Sequence, residues 1–242
     1  MTGILKYALL PAMALAMAHW LAVRPRSLRL DAILDFQYFA AGIVLSAVSA
    51  ELLPQIFARH NPPWIVMGFL AGMSLAHVTA TAVEKWQPLD LRLLVTMLLV
   101  NACIAGLLIG AAFVASPRQG RLLSVALIGR MAFVGLNAPH VAGLSVSRTF
   151  SAGLATAGAC GVLIALAVLN FAVSDHLPHP LFDVMLALGL TGILYVTTRD
   201  LLLEIQDELK AGLRTRLFCV GYLLFLVFHM LAIGSADPEP IP

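Results

Sequence analysis

The sequence predicts an all-α protein, a polytopic bundle of eight membrane-spanning helices with an inverted repeat and both termini outside, and three observations carry the prediction. Charged residues are 12% and hydrophobic residues 60% of 242, with a mean hydropathy of +0.92; a soluble domain keeps roughly a quarter of its residues charged. Apolar runs of about 20 residues, the length needed to cross a hydrocarbon core of about 30 Å, recur along the whole chain. The segments between them are short and hold single Lys and Arg residues or Pro/Gly turns, leaving no room for a soluble domain.

Taken in order, the expected spans run from Leu5 to Val23, Phe36 to Phe57, Trp64 to Val83, Leu91 to Ala115, Leu122 to Val146, Ala152 to Val173, Leu181 to Leu203 and Leu217 to Ile233. The first has only Lys6 ahead of a long apolar stretch and is followed by Arg24, Pro25 and Arg26 instead of a small-residue cleavage site, so it reads as a retained span and not as a signal peptide. Residues 1–234 form one transmembrane domain on this reading, and the Pro- and acid-rich tail 235–242 is expected to be disordered.

Orientation follows from the excess of Lys and Arg on cytoplasmic loops. The odd-numbered connections carry Arg24, Arg26, Arg29, Lys85, Arg92, Arg148, Lys210, Arg214 and Arg216, nine residues; the other side carries Lys6, Arg59, Arg118 and Arg121, four. That places the odd loops in the cytoplasm and both termini outside. GIVLSAVSAELLPQI from Gly42 to Ile56 also resembles GILYVTTRDLLLEI from Gly192 to Ile205, with one residue of difference in spacing. The copies fall on spans of opposite direction, the arrangement of an inverted repeat in secondary transporters.

Several function classes are excluded on pattern. Cys103, Cys160 and Cys219 lie in apolar runs without CxxC or Cys/His spacing, and read as small packing residues and not as a disulfide framework or zinc site. Basic residues are scattered singly, which argues against a nucleic-acid surface. No Gly-rich phosphate loop, HExxH or GxSxG occurs, so the chain reads as a non-enzyme. The expected partners are the lipid bilayer and a second copy of the chain, in a plasma membrane, the inner one if the cell is bacterial.

FAAGIVLSAVSAELLPQI, from Phe39 to Ile56, resembles the second span of ZIP divalent-metal transporters, with Glu51 where that pattern has His. MLALGLTGILYVTTRDLLLEI, from Met185 to Ile205, is similar to their seventh span, and GFLAGMSLAHVTATAVEKW, from Gly68 to Trp86, to their third. The resemblance implies eight spans, termini outside, and a divalent cation such as zinc as cargo, held by His and carboxylates of the fourth and fifth spans. Anchored on Gly106 to Gly110, the fourth span places Asn101 at the His and Ala105 at the acid. Anchored on Pro139, the fifth places Asn137 and His140 at the carboxylates and Leu136 at the His; anchored on Gly143, it places Ala138 and Ala142 at the principal ligand positions. The expected metal-site residues are therefore Asn101, Asn137, His140 and Glu51, a degenerate set.

The chemistry of the set needs no alignment. Between Asp90 and Asp175 there is no Asp or Glu, and that stretch contains the fourth, fifth and sixth spans. A dication stripped of water needs carboxylates for coordination and for charge. Arg130 falls inside the fifth span, where a charge is costly and usually paired or functional, and it shares a helical stripe with Asn137 and His140. It is expected to replace a lost metal electrostatically or to meet an anionic group, with Glu51 and Asp200 as candidate partners. Asp200 and Glu204, one turn apart, are candidates for the same pathway. His77 reads as packing, and His176 and His179 as a solvated turn. Three functions follow: a ZIP-like metal permease with a sparse site, a transporter of that fold repurposed for a neutral or anionic solute, or a non-transporting scaffold.

Overall fold

The computed structural model describes residues 2–23, 30–58, 62–84, 91–142, 149–174, 179–203 and 211–234. These residues are helical almost throughout, in eight successive elements. We label them α1 (Thr2–Ala22), α2 (Leu30–Ala47, continued by a π-helical turn Val48–Leu52 and by Leu53–Ala58), α3 (Pro62–Glu84), α4 (Leu91–Ala115), α5 (Pro117–Ala142), α6 (Thr149–Ser174), α7 (His179–Leu203) and α8 (Ala211–Gly234). Seven of them are long and apolar enough to cross a membrane; in α3 the apolar stretch is Pro62–Val78. The chain is a multi-pass α-helical integral membrane protein. Large apolar side chains such as Met17, Leu70 and Leu231 cover its outside, as a lipid-facing surface requires.

The interior is built around α4 and α5. Their connection is the single residue Ser116, whose hydroxyl oxygen accepts the Gln119 N–H at 3.3 Å while Pro117 opens the helix, a Ser cap followed by a proline that forgoes no helical hydrogen bond. Starting α5 at Pro117 and not at Leu122 puts Arg130 thirteen residues into the helix, about 20 Å from its start. Arg130 is thus an intramembrane charge and not a residue of the boundary.

The principal packing partners are α5 with α1 and α2, α4 with α6 and α7, α4 with α5, α1 with α6, α2 with α8, and α3 with α7. This set is unchanged when α1 is exchanged with α6, α2 with α7, α3 with α8 and α4 with α5. The correspondence extends to atoms. A Cβ on Gly106 of α4 would fall 2.6 Å from the Leu163 carbonyl oxygen of α6, and one on Gly135 of α5 would fall 2.5 Å from that of Leu15 in α1. Cys160 donates to the Ala12 carbonyl at 3.2 Å, and these two residues have the same separation, 148, as Leu15 and Leu163.

Close approach in α4 therefore follows the expectation for small residues in membrane helices. In α6 it does not: Gly153, Gly158 and Gly161 meet nothing within 4 Å, and the contact face uses Ala152, Ala159, Leu163 and Ala167 instead. Cys219 likewise departs from a packing role, being exposed on α8.

The π turn explains the one-residue difference between the two similar segments. Pro54 has no N–H for the Ala50 carbonyl and would crowd it in an α-helix; the Leu53 N–H bonds Val48 O across five residues, so α2 takes up one residue more than α7 over the same length. Counted past that turn, Glu51 stands where α7 has Asp200.

Candidate functional site

Between the two central helices a cation and an amide meet. Arg130, 4% exposed, donates from Nη2 to Asn101 Oδ1 at 3.1 Å, and Asn101 donates from Nδ2 to the Met97 carbonyl at 2.9 Å. The amide is thereby oriented: its nitrogen is engaged by its own helix and its oxygen faces the guanidinium. The two residues occupy matching places, each five residues before the close-approach glycine of its helix, Gly106 or Gly135. Leu94 and Leu98 of α4 match Leu123 and Leu127 of α5 at the same offset, and all four are fully buried. Beside the pair lies a cavity of about 10 Å³ bordered by Ile104, Leu127, Met131, Ile193 and Val196, enough for one water molecule.

Asn101 and Arg130 thus belong to one site, across two helices. Asn137, the next expected member, lies two turns further along α5 and is half-buried. The backbone at Pro139 and His140 remains helical to Ala142, and the His140 side chain lies outside the described residues. So do the side chain of Asp200, all of Glu204 and His176, the His179 side chain and the tail 235–242.

Glu51 lies apart from the Arg130–Asn101 pair. It is 4% exposed and not a solvated helix end, and its Oε1 lies 2.8 Å from Nε2 of His229 on α8. Arg118 in the first turn of α5 also acts on it electrostatically. Arg130 is twelve residues beyond Arg118, about 18 Å along the helix, so Glu51 belongs to another level of the membrane than the Arg130 site. A π turn frequently marks a functional place in a helix, and Glu51 lies inside one. His77, expected to pack, is exposed on α3.

His229 escaped the sequence reading although its signal was present: an ionisable residue inside an apolar span calls for a partner in another span, and Glu51 is in one. His19 was missed too. It is buried in α1 with neither ring nitrogen hydrogen-bonded among the described residues. At the other end of α2, Arg214 lies 3.6 Å from Asp35 and covers the Tyr38 ring at 5.7 Å.

Among the described residues no group of three or more His, Cys, Asp or Glu side chains is placed to hold a metal. Arg130 and Asn101 offer a cation, an amide and little space, a composition suited to a fixed charge or a small polar group. No family model and no curated protein matches the chain.

Proposed function

We propose that this chain is a membrane transporter of ZIP-like inverted-repeat architecture whose cargo is a neutral or anionic solute, with Arg130 standing permanently where a divalent cation would be held. The observation that carries the reading is the Arg130–Asn101 hydrogen bond, buried at matching positions of the two central helices. A dication brought to about 4 Å from a guanidinium is repelled by roughly 8 kcal/mol at an effective dielectric constant of 20. The carboxylates that would offset this are missing from α4, α5 and α6. The recurring contacts of α1 to α3 and α6 to α8 about the α4–α5 pair support a transporter's repeat, in which one set of helices moves against the other around a central site.

The test is zinc binding to purified, detergent-solubilised protein by calorimetry, with N101A and H140A beside the parent, followed by solute uptake into vesicles by the parent and R130Q. The expected result is no saturable zinc binding at the centre, and uptake of a neutral or anionic solute that R130Q abolishes while its helical spectrum is unchanged. Saturable zinc binding weakened by N101A or H140A would overturn the reading. It would favour a metal permease, the one alternative with its own supporting observation, the buried Glu51–His229 pair of carboxylate and imidazole. Unchanged uptake by folded R130Q would remove Arg130 from the pathway.

A further inference from the structure

α3 is seated on the bundle mainly through α7. It meets α7 through Gly68 and Gly72, where an added Cβ would fall 2.5 Å from the Val184 carbonyl oxygen and 2.9 Å from that of Leu188. On both flanks of this seam there is space. One side has a groove of about 530 Å³ walled by Phe69 and Met73 of α3 and Thr191 of α7; the other has a cavity of about 230 Å³ between Leu75 and Ala76 of α3 and Leu99 and Cys103 of α4. Unfilled space beside a helix forfeits the dispersion contacts that would hold it, so the larger groove calls for an occupant.

The lining of the groove states the chemistry of that occupant. Thr191 spends its hydroxyl on the Ala187 carbonyl at 2.7 Å and leaves its methyl to the groove. Polar groups gather at one end only, where Tyr195, Thr198 and Arg199 follow along α7. From Thr191 to Arg199 the helix rises about 12 Å, so the apolar wall and the cationic end are separated by two turns. The groove also opens on the lipid-facing side, where Met73 and Leu70 are exposed. A volume of this size lies within the ~300–1,000 Å³ of pockets that hold small amphiphiles. An apolar channel ending at an arginine near the end of a membrane helix complements one acyl chain and a phosphate-bearing headgroup.

We propose that the α3–α7 groove is a binding site for an anionic phospholipid, one acyl chain lying along Phe69, Met73 and Thr191 and its phosphate meeting Arg199. The lipid completes the packing of α3 against α7. The site is separate from the Arg130–Asn101 centre and stands whether or not the chain moves a solute.

The experiment titrates the full-length protein in mild detergent with dioleoyl phosphatidylglycerol or dioleoyl phosphatidylcholine, reading bound lipid by native mass spectrometry and stability by the thermal unfolding midpoint. Wild type should retain the anionic lipid about fivefold more tightly, the preference one arginine supplies, and its midpoint should rise more with that lipid. R199Q should lose the preference and bind both lipids alike, while R216Q, at an exposed position of α8, should keep it. M73W, which fills the groove from the α3 side, should weaken both lipids; T191W fills it from α7 and serves if M73W does not fold. Absence of a preference in wild type, its survival in R199Q, its equal loss in R216Q, or undiminished binding by folded groove-filled variants would each overturn the proposal.

Discussion

The centre of the bundle and its rim handle polar groups by opposite means. At the centre, α4 and α5 are locked to α6 and α1 through Gly106 and Gly135, and the buried Arg130 meets an amide whose other end is held by its own backbone. At the rim, α3 and α8 each lean mainly on one neighbour, α7 and α2, and the ionic groups span two helices that have lipid on their far sides. The difference teaches that enclosure by several helices sets the centre apart, and not backbone proximity, since Gly42 and Gly221 bring α2 and α8 at least as close as the central helices. Without a hydrophobic force between helices, close packing carries association.

The largest effect should come from removing the amide that the central cation donates to. Asn101→Leu removes the Arg130 acceptor and should cost about 1.5–3 kcal/mol, the value of a hydrogen bond to a charged group. Adding Arg130→Met should restore part of the loss, because the charge that has lost its amide acceptor is then removed as well. Unfolding of the single and double variants in detergent checks this. Additive losses would show that the two residues do not act as a pair, and the contrast with the rim would lose its basis.

A smaller effect tests backbone proximity directly. Gly135→Ala and Gly106→Ala must push a helix away from a carbonyl oxygen and should cost about 1–3 kcal/mol each. The same change at Gly158 on the outer face of α6, where nothing lies within 4 Å, should instead stabilise by about 0.5–1 kcal/mol through helix propensity alone. Thermal unfolding of the three alanine variants gives the answer. Equal behaviour at all three positions would mean that glycine in this bundle is a matter of propensity, not of approach.

The bundle itself was legible in the sequence because apolar length is a direct readout of the bilayer. All eight expected spans overlap a helix, and the fourth, Leu91–Ala115, coincides with it. What failed was local. The start of α5 was misplaced because Pro117, Arg118, Gln119 and Arg121 look like a loop by composition, whereas the Ser116 cap makes them a first turn. Ala and Gly neighbours occur in α4 and α6 alike, but which face of a helix meets a neighbour depends on its rotation, which composition does not contain. Asn101 and Arg130 were each singled out, yet as rival ligand and counter-charge. Their pairing is written in the recurrence of NACIAGL as RMAFVGL at an offset of 29 residues, a pattern visible only when the fourth and fifth spans are compared with each other. The neighbours LeuLeuPro suit Glu51 to a solvated helix end as well as to an ion entrance, and the π turn that carries the helix past Pro54 to Ala58 removes the first of these.

The smallest effect belongs to the rim. His229→Ala removes the imidazole 2.8 Å from Glu51, and interhelical polar contacts in membranes are worth about 0.6–1.7 kcal/mol. The loss should sit toward the lower part of that range, because Arg118 continues to act on the carboxylate from α5. Glu51→Gln retains a group able to hydrogen-bond His229 and should cost less still. Removing Arg118 as well, as Arg118→Gln in the His229→Ala background, should raise the cost, since the carboxylate then loses the guanidinium as well as the imidazole. These three variants, unfolded beside Asn101→Leu, set the rim against the centre on one scale. A His229→Ala loss as large as that of Asn101→Leu would show the polar pair at the rim to be worth as much as the enclosed pair at the centre. Enclosure would then no longer separate the two regions.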